Sequence, residues 1–292
     1  MRLGIAVLLF LLVVPVVRAQ TGLTITSEPN AIVWIDEIRR GTTDASGKLT
    51  LTKVSAGRHS VRVRASGFKE TTAALLPGRR ALAVKLLPTT DAAELKFQEA
   101  EAAREKARDD ASLEKAADLY REAIKLRPAF PAAQVGLARL LMSLNQFKEA
   151  HAAIDAARRA RPIYAEASAV EGRIYREEAF DDDAVRSFRR AIREGGGVQP
   201  EAYVGMAKVW EDKGDFAQAI VEYRKALAQL SDSEPVIYQM LGAAYERVEK
   251  PKDAVGAYEK YLELAPNGSY AAAIRSILTQ LKREAAGEQI IP

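Results

Sequence analysis

The chain has 292 residues, 48% hydrophobic and 28% charged, with a formal charge of +4, two His and no Cys. The lack of Cys excludes disulfides, thiolate nucleophiles and zinc–thiolate or iron–sulfur sites, and two His leave little for general-base or His-rich metal chemistry. Twelve Pro and 18 Gly are ordinary for a folded chain, and the length predicts two domains.

Met1-Arg2 gives a short positive start, followed by an apolar stretch from Leu3 to Val17 and then Val17-Arg18-Ala19 before Gln20. This is the pattern of an export leader, residues 1–19, with cleavage after Ala19. The rival reading is an uncleaved anchor, but a spanning helix needs about 20 apolar residues and Pro15 interrupts this stretch. The expected location is therefore exported, periplasmic or secreted, with no membrane span once the leader is gone. Loss of Arg2 and Arg18 with it brings the net charge to +2. Residues 20–88 then carry +6 and residues 89–292 carry −4, a basic head on an acidic body.

Residues 20–88 read as short strands. Ile32-Val33-Trp34-Ile35 is a brief apolar run, while Val61-Arg62-Val63-Arg64 and Leu82-Ala83-Val84-Lys85-Leu86 alternate with period two. Gly41, Gly47, Gly57, Gly67 and Gly78 punctuate the segment about every ten residues. About five strands in this span predict a small antiparallel β-sandwich. The run Ser27-Glu28-Pro29-Asn30-Ala31-Ile32-Val33-Trp34-Ile35-Asp36, with Gly41-Thr42-Thr43, Gly57-Arg58-His59-Ser60-Val61-Arg62-Val63 and Gly67-Phe68, resembles a PEGA domain. That resemblance implies an accessory binding or spacer module outside the cytoplasm, without catalysis.

Residues 89–96 read as a linker, after which the period becomes helical. Ala116, Ala150, Ala184, Ala219 and Ala254 recur every 34 or 35 residues, and Tyr120, Ile154, Phe188, Tyr223 and Tyr258 follow each by four. Ala138, Gly172, Ala207 and Gly242 recur in step upstream. Small residues at crossing points let paired helices approach to about 8–10 Å, with the large residues filling the space beside them. The pattern resembles the tetratricopeptide repeat in five units, 97–130, 131–164, 165–198, 200–233 and 235–268. A capping helix over 269–284 and a tail over 285–292 complete an α+β, mostly α chain: a β-sandwich followed by an α-solenoid of helix-turn-helix repeats.

Candidate chemistry is sparse. Gly41 to Leu49 has the wrong spacing for a phosphate loop, and no helix follows it. His59 and Ser60 are strand neighbours that point to opposite faces, so they cannot form a nucleophile–base pair. Asp181-Asp182-Asp183 lacks the spaced ligands of a calcium loop and suits a helix N-terminus. No enzyme activity, metal or cofactor is expected, since no acid, base and nucleophile converge. The resemblance to the repeat family implies a partner-binding concave face on the first helix of each unit. By repeat phase it includes Val135, Arg139, Met142, Arg173, Arg176, Val204, Lys208, Glu211, Gln239 and Arg247. Arg139, Arg173 and Lys208 occupy equivalent positions and predict a basic line. The expected function is a non-enzymatic exported scaffold for a protein or peptide partner, with the β domain as spacer or envelope anchor. The alternative makes Arg39, Arg40, Arg58, Arg62 and Arg64 a basic patch for an anionic envelope glycan or surface. Export argues against nucleic acid.

Overall fold

The computed structural model describes residues 21–36, 38–54, 57–230 and 233–286. The expected leader, residues 1–19, and residues 287–292 of the expected tail lie outside the described residues. The chain is mostly helical, with a small β region ahead of a helical solenoid.

Nine strands form the β region among the described residues: β1 (Thr21–Thr26), β2 (Ile32–Ile35), β3 (Ile38–Thr42), β4 (Lys48–Val54), β5 (His59–Arg64), β6 (Phe68–Lys69), β7 (Thr71–Leu75), β8 (Ala81–Ala83) and β9 (Leu87–Pro88). They pair in the orders β4-β1-β8, β3-β2-β5-β7 and β6-β9. One pairing departs from an antiparallel arrangement: β1 runs parallel to β8, with Thr24 opposite Ala81. The whole intervening chain serves as the long crossover that a parallel pair requires.

Alternate residues of β1, β2 and β5 close one core. Ile25, Val33, Val61 and Val63 are fully buried, joined by Leu75 of β7 and by Val84 and Leu86 beyond β8. Although β2 is apolar throughout, it still alternates, and Trp34 lies on the face away from Val33 and Ile35. The Arg62 and Arg64 guanidinium carbons stand 4.2 and 5.0 Å from the Trp34 ring centre, which explains why the ring can stay outside the core.

Among the described residues ten helices form five antiparallel pairs: α1 (Ala92–Lys106) with α2 (Asp110–Leu126), α3 (Pro131–Ser143) with α4 (Phe147–Ala160), α5 (Ala165–Glu177) with α6 (Asp181–Glu194), α7 (Pro200–Asp212) with α8 (Phe216–Leu230), and α9 (Pro235–Arg247) with α10 (Pro251–Leu264). A last helix, α11 (Ala271–Ala286), packs on α10 through Ile274 and Leu281. The Asp91 carboxylate caps α1 by accepting from Ala93 N and Glu94 N, so the first helix starts within the stretch read as a linker. Likewise, α11 takes in the first two residues of the expected tail.

The turns inside the last four pairs are nearly copies of one another. Asn145, Ala179, Gly214 and Glu249 all have positive φ, and each next residue donates its N–H back to the helix, as in Gln146 N to Leu141 O at 2.8 Å. This is the closing bond of a Schellman turn, which satisfies the last free carbonyls of the first helix. Close helix approach has equally direct evidence. A Cβ at Gly205 would stand 2.3 Å from Phe188 Cζ, and one at Gly172 would stand 2.7 Å from the same ring. The glycines therefore make room for a fully buried Phe188.

Candidate functional site: the inner face of the helical array

The β region lies against the inner face of the array. At one end Gln98 of α1 mimics a strand edge: its side-chain oxygen accepts from Gly67 N at 2.9 Å, and its Nε2 donates to Phe68 O at 2.8 Å. Arg39 pairs with Glu105 at 2.8 Å, and Arg64 pairs with Glu101 at 3.2 Å. At the far end Ile38, buried, joins the apolar cluster of α7, α8 and α9 that includes Leu230 and Ile237. Beside it, Arg40 Nη1 donates to Leu230 O at 2.8 Å and Nη2 to Gln229 O at 3.5 Å. These are the last carbonyls of α8, the negative end of its dipole. Burial pulls Arg40 below the usual guanidinium range, against the opposing influence of Asp36.

Between the two parts lies a cleft of about 720 Å³, lined by Trp34, Arg62 and Arg64 on one side and by Phe97, Arg139 and Glu201 on the other. Its charges are largely paired off. Glu101 accepts from Arg64, Arg104 and the Tyr120 hydroxyl. Burial raises the Glu101 carboxyl, but Arg104 and Arg64 outweigh it and leave it below its ordinary value. Arg139 Nη1 reaches Glu201 at 3.0 Å and its Nη2 reaches Glu166 at 3.2 Å, while Arg173 reaches the same Glu201 at 3.1 Å. Burial would raise Glu201, yet Arg139 and Arg173 dominate and bring it down to about 2.

That shift carries a pH dependence. The folded chain holds Glu201 ionised well below the range of a free carboxylate, so its contribution is full above about pH 4.5 and is lost as pH falls toward 2. Stability measured by urea unfolding should decline over that window, and Glu201→Gln should flatten the decline. Equal slopes for the two proteins would contradict the pairing.

Of the sequence-derived concave residues, Arg139, Arg173 and Lys208 lie on α3, α5 and α7. Arg176 pairs with Asp212 at 2.8 Å, and Glu211 accepts from the Tyr223 hydroxyl at 2.9 Å. Lys208 is half-buried and has no salt bridge among the described residues. Burial, then Arg176 and Arg173, push its ammonium below its ordinary value, against the opposing influence of Glu211 and Glu177. Val204 packs against the α7–α9 cluster, Gln239 is half-buried on α9, and the Arg247 guanidinium lies 4.4 Å from the Phe216 ring centre. Val135 and Met142 are core residues, 1% and 6% exposed, because α3 is covered by its neighbours on nearly all sides.

In the basic β patch, Arg39, Arg40, Arg62 and Arg64 are all engaged within the chain, with Arg62 also 3.1 Å from Glu70; Arg58 is exposed. The sequence reading missed Ile38, Gln98, Glu101, Glu105, Glu166 and Glu201. Glu166 and Glu201 carried a usable signal, since they lie 35 residues apart in the same repeat phase, 27 and 28 residues after Arg139 and Arg173. Among the described residues there is no group of three or more His, Cys, Asp or Glu placed to hold a metal, and no helix is long and apolar enough to cross a membrane.

Comparison with known families matches the tetratricopeptide repeat to residues 93–174, 181–235 and 235–267. The helical array is a tetratricopeptide repeat array. Its fold is similar to that of a thermophilic TPR protein of Thermus thermophilus, at 19% identity and a TM-score of 0.54, covering 65% of this chain and 99% of that one. It is also similar to PilW, a widely conserved type IV pilus biogenesis factor (16% identity, TM-score 0.56), covering 68% and 88% of the two chains. Pseudomonas aeruginosa pilF matches at 15% identity and a TM-score of 0.54, covering 67% and 88%. No curated protein matches the chain. At these identities the likeness is one of fold.

Proposed function

We propose that the chain is a non-enzymatic, exported scaffold that holds a protein or peptide partner on the inner face of its tetratricopeptide repeats. The PEGA-like β region would brace that face and set the array apart from the envelope surface. Export rests on the leader pattern of residues 1–19. The observation that carries the binding role is Lys208, a half-buried ammonium beside Arg173 and Arg176 and without a salt bridge among the described residues. Positive charges gathered on a preformed face raise one another's cost, and an acidic group from a partner would relieve it. The expected partner therefore presents Asp, Glu or a terminal carboxylate to this line.

Lys208→Glu tests the reading. Substitution replaces repulsion from Arg173 and Arg176 with attraction but sets a carboxylate near Glu211 and Glu177, so the melting temperature should change little. Capture of the partner from envelope fractions should fall at least tenfold, the loss of roughly one charged contact. Undiminished capture would remove the basic line from the mechanism. The glycan reading has less support, because four of its five arginines are already engaged in contacts inside the chain.

A further inference from the structure

The β2–β3 hairpin meets the array as a ligand meets a receptor. Ile38 pairs with Ile35, while Arg40 is the extra residue of a bulge between the Trp34–Arg39 and Val33–Gly41 pairs, and both side chains reach the array. Ile38 is buried in the α7–α9 cluster, and Arg40 delivers its guanidinium fork to the carbonyl end of α8. An apolar socket beside a helix C-terminus is complementary to an aliphatic side chain followed by a cation. Nothing in that chemistry requires the hairpin to be covalently attached.

We propose that this crevice of α7, α8 and α9 is a binding site for an extended tip carrying an aliphatic residue two places before an arginine. The β region fills it in cis, and an outside protein presenting the same tip displaces it. The proposal rests on the scaffold reading for the existence of an outside partner, but it assigns that partner's chemistry at a separate place from Lys208. Displacement would free the Ile38–Arg40 end of the β region while Gln98 still holds the other, turning a braced array into an open one. The exposed Arg39–Glu105 pair, with side chains 48% and 41% accessible, adds little to the hold.

The absence of Cys makes the test clean. In the full chain, Arg39→Cys with Glu105→Cys gives a unique pair for a short bismaleimide cross-linker. Cross-linking within the chain should be efficient, and adding Ile38→Asp with Arg40→Glu should cut its yield at least fivefold, whereas Ile38→Val should not. A labelled peptide of residues 31–43 is the probe for the vacated crevice. It should bind the Ile38→Asp/Arg40→Glu chain at least tenfold more tightly than the unaltered chain, and the same peptide carrying both substitutions should not bind. Both substitutions lie outside the array, so the receptor stays intact even if the hairpin rearranges. Unchanged cross-linking, or equal peptide binding by the two chains, would overturn the proposal. Neither result bears on capture at Lys208, whose own substitution tests that reading separately.

Discussion

Phe188→Ala should lower the stability of the array by about 3–5 kcal/mol, the cost of emptying a fully buried aromatic site. The size follows from what surrounds the ring. Gly172 of α5 and Gly205 of α7 present bare backbone to it, where a Cβ would clash at 2.7 and 2.3 Å. No side chain stands on those glycines to swing into the void, and the backbones of two helices cannot collapse by a ring's width. The loss also falls on the contact between consecutive repeats, the term that holds a solenoid together. Urea unfolding of the full chain is the measurement, followed by helical ellipticity. A change below about 1 kcal/mol would mean that the glycines do not frame the ring as described.

Glu171→Ala should cost about 3 kcal/mol, at the lower end for breaking a buried ion pair from one side. Glu171 of α5 is 9% exposed and holds Arg190 of α6 directly and Arg158 of α4 at 3.5 Å. Its removal takes the direct partner from Arg190, whose side chain is 36% accessible, and one partner from the more buried Arg158, which keeps Glu194 at 3.4 Å and the Ser168 hydroxyl. The penalty comes from the cations left short of a partner more than from the lost attraction. Glu171→Ala combined with Arg190→Met should therefore be more stable than Glu171→Ala alone, despite removing more of the native structure. If the double variant is the less stable of the two, the cost lies in packing instead.

What the sequence disclosed is what repeats locally. Helix pairs and their small crossing residues recur at 34 or 35 residues, and the turn residues Ala179 and Glu249 fall in step with Asn145 and Gly214 although neither Ala nor Glu favours positive φ. What it withheld is what joins distant segments once. Arg40 and Leu230 are 190 residues apart, and no period links them. The alternation of Arg62 and Arg64 correctly placed both on one face, but a polar face can meet solvent or an acidic helix, and strand period does not distinguish these. Here it meets Trp34 and Glu101. Val135 and Met142 show a different limit. They lie seven apart on one helix face, and phase alone put that face in the groove, whereas α3 sits deep enough for its neighbours to cover it. The parallel β1–β8 pair was equally out of reach, since alternation fixes which way side chains point and leaves strand direction free.

If the inner face of the repeats holds another protein, a residue in its basic line must touch that protein in the cell. A photo-crosslinking residue placed at position 208 in intact cells reads that contact, with position 186, exposed on α6, as the control. One discrete captured polypeptide is expected at 208, joined through an Asp- or Glu-rich segment identified by mass spectrometry, and little or nothing at 186. Capture of the same polypeptide at 186 but not at 208 would contradict it.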